Sequence, residues 1–297
     1  MLKYRLLFGT LMTIFFVGLI LVDGYLDGSI SENSPEIIPF QATIFTILLA
    51  LLAVPAQFEL SKLIKQTGGH VFKSVTIPAS ILLATCLFWV QFIGIDFFFL
   101  LSISLIPAFS FLALFFVQAL KFGTEGTIRN ISASFFSITY LGFLSMFVLI
   151  IRITLGPWVL LMFIFTVKGS DIGAYTLGRL FGKHKMCPNI SPGKTWEGLA
   201  GAALFGLLVS LGFSHFCDIM PVLWAVCFGS IFGVLGQMGD LAESMIKRDA
   251  ASKDSSSSIP GFGGILDVID SPLATAPLAF AFFLLMIFFT EVLLIGS

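Results

Sequence analysis

Long apolar runs dominate this chain, and they restrict its fold more than any other feature. A helix must offer about 20 apolar residues to cross the hydrocarbon core of a bilayer. By that criterion about nine segments qualify: 6–22, 40–60, 75–92, 97–120, 131–151, 158–180, 199–213, 220–243 and 272–295. Hydrophobic residues make up 57% of the 297 and charged residues only 11%, with 35 Phe, whereas a soluble domain is about 25% charged. The expectation is an all-α polytopic membrane protein with about nine transmembrane helices. A transmembrane barrel would instead show short alternating segments. Lys3 and Arg5 before the first run resemble the start of a signal peptide, but Asp23-Gly24-Tyr25 follows in place of a small-residue cleavage site. A retained first helix is therefore expected.

Basic residues set the expected orientation, because cytoplasmic segments accumulate Lys and Arg. With the N-terminus in the cytoplasm, 14 of the 16 basic residues fall in inner segments. Arg152 is then the one in an outer loop, and Lys168 lies within a span. The first outer loop is acidic, with Asp23, Asp27, Glu32 and Glu36. The C-terminus is expected outside. Residues 1–155 read as a hydrophobic scaffold, and 156–297 as a catalytic transmembrane region facing the cytoplasm. Four cysteines and three histidines show no metal-ligand or redox spacing. No basic tail or RNA-binding pattern points to a nucleic acid.

Charge is concentrated where the apolar pattern breaks. The stretch 240–271 carries Asp240, Glu243, Lys247, Arg248, Asp249, Lys253, Asp254, Asp267 and Asp270. Asp240, Glu243 or Ser244, Lys247 and Arg248 recur at helical offsets and share one face. A Lys-Arg pair at a helix end is ordinary snorkelling; an acid a turn or two deeper needs a partner. Ser255–Ser258 and the glycines Gly261, Gly263 and Gly264 can offer backbone N–H groups to phosphate, although such loops are more often plain turns. Asp267 and Asp270 lie three apart, so a helical turn would aim both the same way. A second cluster contains Ser170, Asp171, Tyr175, Arg179 and Lys183, followed by Ser191, Lys194 and an N-cap signal at Thr195. Carboxylates for a hard cation, ammonium groups for charge and Gly/Ser loops for phosphate oxygens suit phosphoryl or nucleotidyl transfer.

Two motifs carry a resemblance to a known family. Ser244-x-x-Lys247-Arg248-x4-Lys253-Asp254, then Pro260-Gly261-x-Gly263-Gly264-x-x-Asp267-x-x-Asp270-Ser271, resembles the signature of the phosphatidate cytidylyltransferases (CDP-diacylglycerol synthases). Ser170-Asp171-x-x-Ala174-Tyr175, continuing through Ser191-Pro192-x-Lys194-Thr195-x-Glu197-Gly198, resembles that family's other hallmark. The resemblance implies transfer of CMP from CTP to phosphatidate, with Mg²⁺ required and a second metal ion left open. It implies Asp240, Asp267, Asp270 and Asp171 as metal ligands, and Asp171, Lys247, Arg248, Lys253 and Asp267 as catalytic groups. Ser170, Tyr175, Lys183, Ser191, Lys194, Ser244, Asp254, Gly261, Gly263, Gly264 and Ser271 are implied as substrate contacts. It further implies a bacterial inner-membrane location and suggests a homodimer. Two positions depart from the family pattern: Phe262 stands where the family usually has His, and Val268 where it usually has Arg. Lys168 is less typical of the family and is expected to offset the missing arginine. A secondary transporter or a diverged lipid-phosphate binder is the alternative, although the charges gather at one membrane face and no inverted repeat is evident.

Overall fold

The computed structural model describes residues 2–30, 40–93, 96–256, 258–259 and 263–295. In chain order the elements are α1 (Leu2–Leu26), α2 (Thr43–Gln66), α3 (Lys73–Ile93), α4 (Asp96–Phe122) and α5 (Thr127–Ile138). A π-helical turn (Thr139–Phe143) leads into α6 (Leu144–Phe181). A short antiparallel hairpin of β1 (Lys185–Cys187) and β2 (Ser191–Thr195) follows, then α7 (Trp196–Cys217), α8 (Val222–Asp249) and α9 (Ile265–Ile295). The protein is an all-α polytopic membrane protein. Among the described residues, eight helical runs are long and apolar enough to cross a membrane. One of them, Thr127–Phe181, covers two expected segments and is broken at Gly156, whose φ of 87° is not helical. Pro157 follows that break and has no N–H to continue the ladder. Large side chains such as Leu51, Phe116 and Phe216 are exposed, as a lipid-facing surface requires.

The residues group into two compact units, Met1–Pro157 with Ile246–Ile269, and Trp158–Met245 with Asp270–Ser297. In the first unit α3 packs against α2, α4 and α5. Its core gathers Phe72, Ala79, Leu83, Leu114, Ile131 and Ile138. One buried amide crosses that core: Gln57 Nε2 donates to Thr76 Oγ1 and to Ser137 Oγ, each at 2.7 Å. In the second unit α6 and α7 approach almost backbone to backbone. A methyl group on Gly173 would strike the Gly201 carbonyl, and one on Gly201 would strike the Gly173 carbonyl. Lipid offers no hydrophobic drive between helices, so such small-residue contacts supply the close packing. Phe228 stacks on Phe232 and on Phe283 in the same unit.

The structure corrects one expectation about Arg152. It is not in an outer loop but inside α6, fully buried, with Nη2 2.9 Å from Asp23 and 2.7 Å from Asp27. Two of the acids expected in the first outer loop thus neutralise a buried cation. Asp23 also accepts the Ile44 amide at 2.8 Å, and Asp27 accepts the Ala42 amide at 2.9 Å, so the triad fastens α1 and the start of α2 to α6. Burial works against an ionised Asp27, but the Ser29 hydroxyl, the Ala42 amide and Arg152 together outweigh it and hold its carboxyl below the usual range.

Because the folded Asp27 titrates lower than the unfolded one, its contribution to stability is complete above the unfolded value of about 4. It is lost as pH falls below that value towards the folded one. Asp27→Asn should destabilise the protein by about 3 kcal/mol at neutral pH, read as a lower thermal midpoint in detergent. The variant should also lose part of the wild-type decline in midpoint below that pH.

Candidate functional site

In the second unit, polar groups from α6, β2 and α8 surround a cavity of about 310 Å³. Asp171, Tyr175, Ser191, Lys194, Gln237 and Asp240 are among its lining residues. The hairpin between α6 and α7 folds Ser191 and Lys194 back over the helix ends, held by the Trp196 amide on the His184 carbonyl at 3.0 Å. Thr195 then starts α7 as its N-cap, its Oγ1 accepting from the Gly198 amide at 3.1 Å, as the sequence predicts. Lys194 Nζ lies 2.7 Å from Asp240 Oδ2 and donates to the Gln237 carbonyl at 2.8 Å. The Gln237 side chain in turn donates to Asp171 Oδ1 at 2.7 Å. One glutamine therefore positions both a carboxylate and the lysine that faces Asp240.

Next to this chain of contacts is a group of three acids. One oxygen each from Asp240, Glu243 and Asp270 lies within 4.8 Å of the others. Glu243 and Asp270 are buried. Close approach of α8 and α9 makes this convergence feasible, since a Cβ on Gly239 would sit 3.1 Å from the Ser271 Cα. Asp270 Oδ1 accepts from Lys168 Nζ at 3.1 Å and from the Ser271 hydroxyl at 3.2 Å. Lys168 on α6 thus balances the charge of a buried carboxylate on α9. Hard oxygen donors in this number and at this spacing suit a cation such as Mg²⁺ or Ca²⁺.

The first unit holds its own polar group. Asp267, in the first turn of α9, accepts on Oδ1 from Lys247 Nζ at 2.7 Å. Its Oδ2 accepts from the Gly264 amide at 2.7 Å, and from the Ser255 hydroxyl and amide at 2.7 and 3.1 Å. Ser255 also reaches Glu59 on α2, at 3.1 Å. Gly263 has a φ of 96° and pairs with Ile259 in an isolated bridge.

The remaining predicted positions lie apart from these contacts. Ser170 is buried and donates to the Val167 carbonyl at 2.7 Å. Arg179 donates to the Tyr175 hydroxyl at 2.7 Å, on an exposed face. Lys183, Lys253 and Asp254 are exposed, and Ser244 is half-buried on α8. Arg248 is exposed and donates to the Ser252 carbonyl at 3.2 Å. Val268 is half-buried on α9, while Gly261 and Phe262 lie outside the described residues. Asp267 and Asp270 take different partners, although three residues leave them only about 60° apart around a helix.

Three residues gain a place that the sequence reading did not assign. Glu243 was visible on the charged face of α8 but unassigned. Gln237 sits one turn before Asp240, a spacing that could have drawn attention to it. Glu59 had no local signal, because its partners are about 200 residues away in the chain.

These features define a class: a multi-pass helical membrane protein with carboxylate and ammonium groups collected at a polar cavity. Residues 36–286 match the model of the cytidylyltransferase family. A phosphatidate cytidylyltransferase of Staphylococcus haemolyticus is 34% identical over 238 residues, covering 79% of this chain and 86% of that protein. Its counterpart from Haemophilus influenzae is 42% identical over 127 residues, 41% of this chain and 44% of the relative. That from Staphylococcus saprophyticus is 42% identical over 143 residues, 48% and 55% of the two lengths. In these last two alignments the chain spans about half the length of the relative. The chain belongs to the cytidylyltransferase family.

Lys168 and Asp270 should be strongly coupled. Lys168→Met leaves a buried carboxylate without its ammonium partner, and the expected loss is about 2 kcal/mol. In an Asp270→Asn background the same substitution should cost much less. A double-mutant cycle on thermal unfolding in detergent measures the difference.

Proposed function

We propose that the protein transfers the cytidylyl group of CTP to phosphatidate, giving CDP-diacylglycerol and pyrophosphate. The observation that carries this reading is the cavity lined by Asp171, Asp240 and Lys194 together with Tyr175 and Ser191. Its volume, about 310 Å³, falls at the lower end of small-molecule sites, about 300–1,000 Å³. Family membership supplies the reaction class, and the embedded helices suit a lipid substrate.

In the proposed reaction a phosphatidate oxygen bonds to the α-phosphorus of CTP. The bond from that phosphorus to the oxygen bridging to the β-phosphate breaks, and pyrophosphate leaves. The attacking phosphate needs no general base, because it is already largely ionised near neutral pH. The work left to the protein is positioning and charge. Lys194 is placed to offset phosphate charge in the cavity, and the resemblance gives the same task to Lys247, Arg248 and Lys253. Ser191 and Tyr175 line the same cavity and are proposed as further substrate contacts.

The donor set fits a divalent cation. Asp171 lies within electrostatic reach of Asp240, Asp270, Lys168 and Lys194. The oxygens of Asp240, Glu243 and Asp270 that converge within 4.8 Å can bind such an ion. We assign Asp240, Glu243 and Asp270 to hold it, as a Mg²⁺ site. Asp171 remains in the proposal as a further ligand of that ion, and Asp267 as a ligand of the second metal ion that the resemblance leaves open; a cation would replace the Gln237 amide at the one and the Lys247 ammonium at the other. Bound there, Mg²⁺ supplies Lewis-acid stabilisation of the triphosphate and of the leaving pyrophosphate.

The site is proposed to open to the cytoplasm at a bacterial inner membrane, with the N-terminus inside and the C-terminus outside. The placement of basic residues supports this, and Arg152, buried in its ion triad, is no exception to that bias. A homodimer is proposed on the family resemblance alone.

Purified protein in detergent micelles should move radiolabel from α-labelled CTP into a lipid product when phosphatidate and Mg²⁺ are present. EDTA should stop it. Asp240→Asn, Asp267→Asn and Asp270→Asn should each lower turnover at least about 100-fold while leaving folded protein. Glu243→Gln should raise the Mg²⁺ concentration needed for half-maximal rate. No labelled lipid from well-folded wild-type protein would leave a transporter or lipid-phosphate binder as the better reading.

A further inference from the structure

Glu59 belongs to none of the motifs, yet its carboxylate is among the most heavily engaged in the protein. It projects from α2 and is 6% exposed. Its Oε1 accepts from the Ser256 hydroxyl at 2.7 Å, the Ile265 amide at 3.1 Å and the Ser258 hydroxyl at 3.3 Å. Its Oε2 accepts from the Leu266 amide at 2.9 Å and the Ser255 hydroxyl at 3.1 Å. The two amides open α9, where the first N–H groups of a helix have no partner in the helix itself. A side chain from another helix therefore caps α9 and binds the serine loop before it. A carboxylate suits this position, because the positive end of the helix dipole favours negative charge.

Ser255 links this cap to the motif aspartate. Its hydroxyl lies 2.7 Å from Asp267 Oδ2 and 3.1 Å from Glu59 Oε2. One hydroxyl hydrogen is thus shared between two carboxylates, while the Ser255 amide adds a second bond to Asp267 at 3.1 Å. Asp267 sits in the first turn of the helix that Glu59 caps. The position of its carboxylate, and with it the Lys247 contact, depends on how the first turn of α9 and Ser255 are held.

We infer that Glu59 is a positioning residue for Asp267, acting through Ser255 and the capped first turn of α9. This rests on the cytidylyltransferase reading, in which Asp267 serves the reaction. Glutamine cannot replace Glu59 without loss. The amide offers one acceptor oxygen, and each Glu59 oxygen faces a backbone N–H. Either orientation of Gln turns its NH₂ towards the Ile265 or the Leu266 amide. The serine hydroxyls can reverse their roles, but a backbone N–H cannot.

The test uses the full-length protein in detergent, with rates expressed per folded molecule. Glu59→Gln should lower kcat for cytidylyl transfer about 10–100-fold, the usual cost of losing a group that supports a metal ligand or catalytic residue. The KM for CTP should change less than about two-fold. Glu59→Asp keeps both anionic acceptors on a shorter stem and should recover part of the rate. Glu59→Gln combined with Ser255→Ala should lose far less than the product of the two single losses, because both act by one route. Hydrogen exchange at the Ile265 and Leu266 amides should be faster in Glu59→Gln than in wild type, whatever the activity.

Unchanged exchange at those amides would overturn the inference and leave the cytidylyltransferase reading intact. A kcat within about two-fold of wild type, or fully multiplicative losses in the double variant, would do the same. An inactive wild-type protein would overturn that reading and, with it, the claim that Glu59 serves transfer; faster exchange in the variant would then mark Glu59 as a cap alone.

Discussion

A charge inside an apolar helix bundle must be met by an opposite charge or by hydrogen-bond donors, since leaving it bare costs far more than any single contact returns. Several of the buried acids named above follow that rule. Asp270 meets Lys168, Asp267 meets Lys247, and Asp23 and Asp27 share Arg152. Asp240, less deeply buried, meets Lys194. Glu59 is answered by two helix-initiating amides and three serine hydroxyls. These pairings specify which residues can approach one another. Apolar surface cannot do so in lipid, where side chains and solvent have the same character.

Polar groups give this protein direction, and small residues give it closeness as well as a share of that direction. Gly173 and Gly201 let α6 and α7 touch, while Gly239 admits Ser271 beside it. Each such contact already fixes which face a helix turns to its neighbour, since a Cβ there would clash. The link from Asp171 through Gln237 to Lys194 and Asp240 adds to that, because each bond requires one face of α6, β2 or α8. The polar groups that help orient the helices are thus the same ones that form the cavity.

Features that depend on local spacing were legible in the sequence. Apolar runs announce membrane helices whatever their partners. The motif residues sit within a few turns of one another, and the Thr195 cap follows from a three-residue spacing. Pairings across long separations were not legible. Arg152 interrupts an apolar run and so reads as a loop residue, because its acids lie 125 or more positions earlier. Glu59 is hidden in the same way by a separation of 196 residues from Ser255. The hairpin of β1 and β2 is too short, and too rich in Gly, Pro and Lys, to show a strand period. Asp267 and Asp270 share a helical side, as their spacing suggests, yet the donors around each differ, and donors decide a carboxylate's role.

Lys168 shows how one ion pair can serve both charge and packing. The ammonium that balances Asp270 comes from another helix, α6, and lies 3.1 Å from the carboxylate. Charge compensation at the acidic group is thereby also a bond between two helices. Any displacement of α6 relative to this part of α9 would bare a buried carboxylate beside Asp240 and Glu243. The electrostatics of the site and the packing of these helices are consequently a single property of this chain, and a substitution that loosens one should be felt in the other.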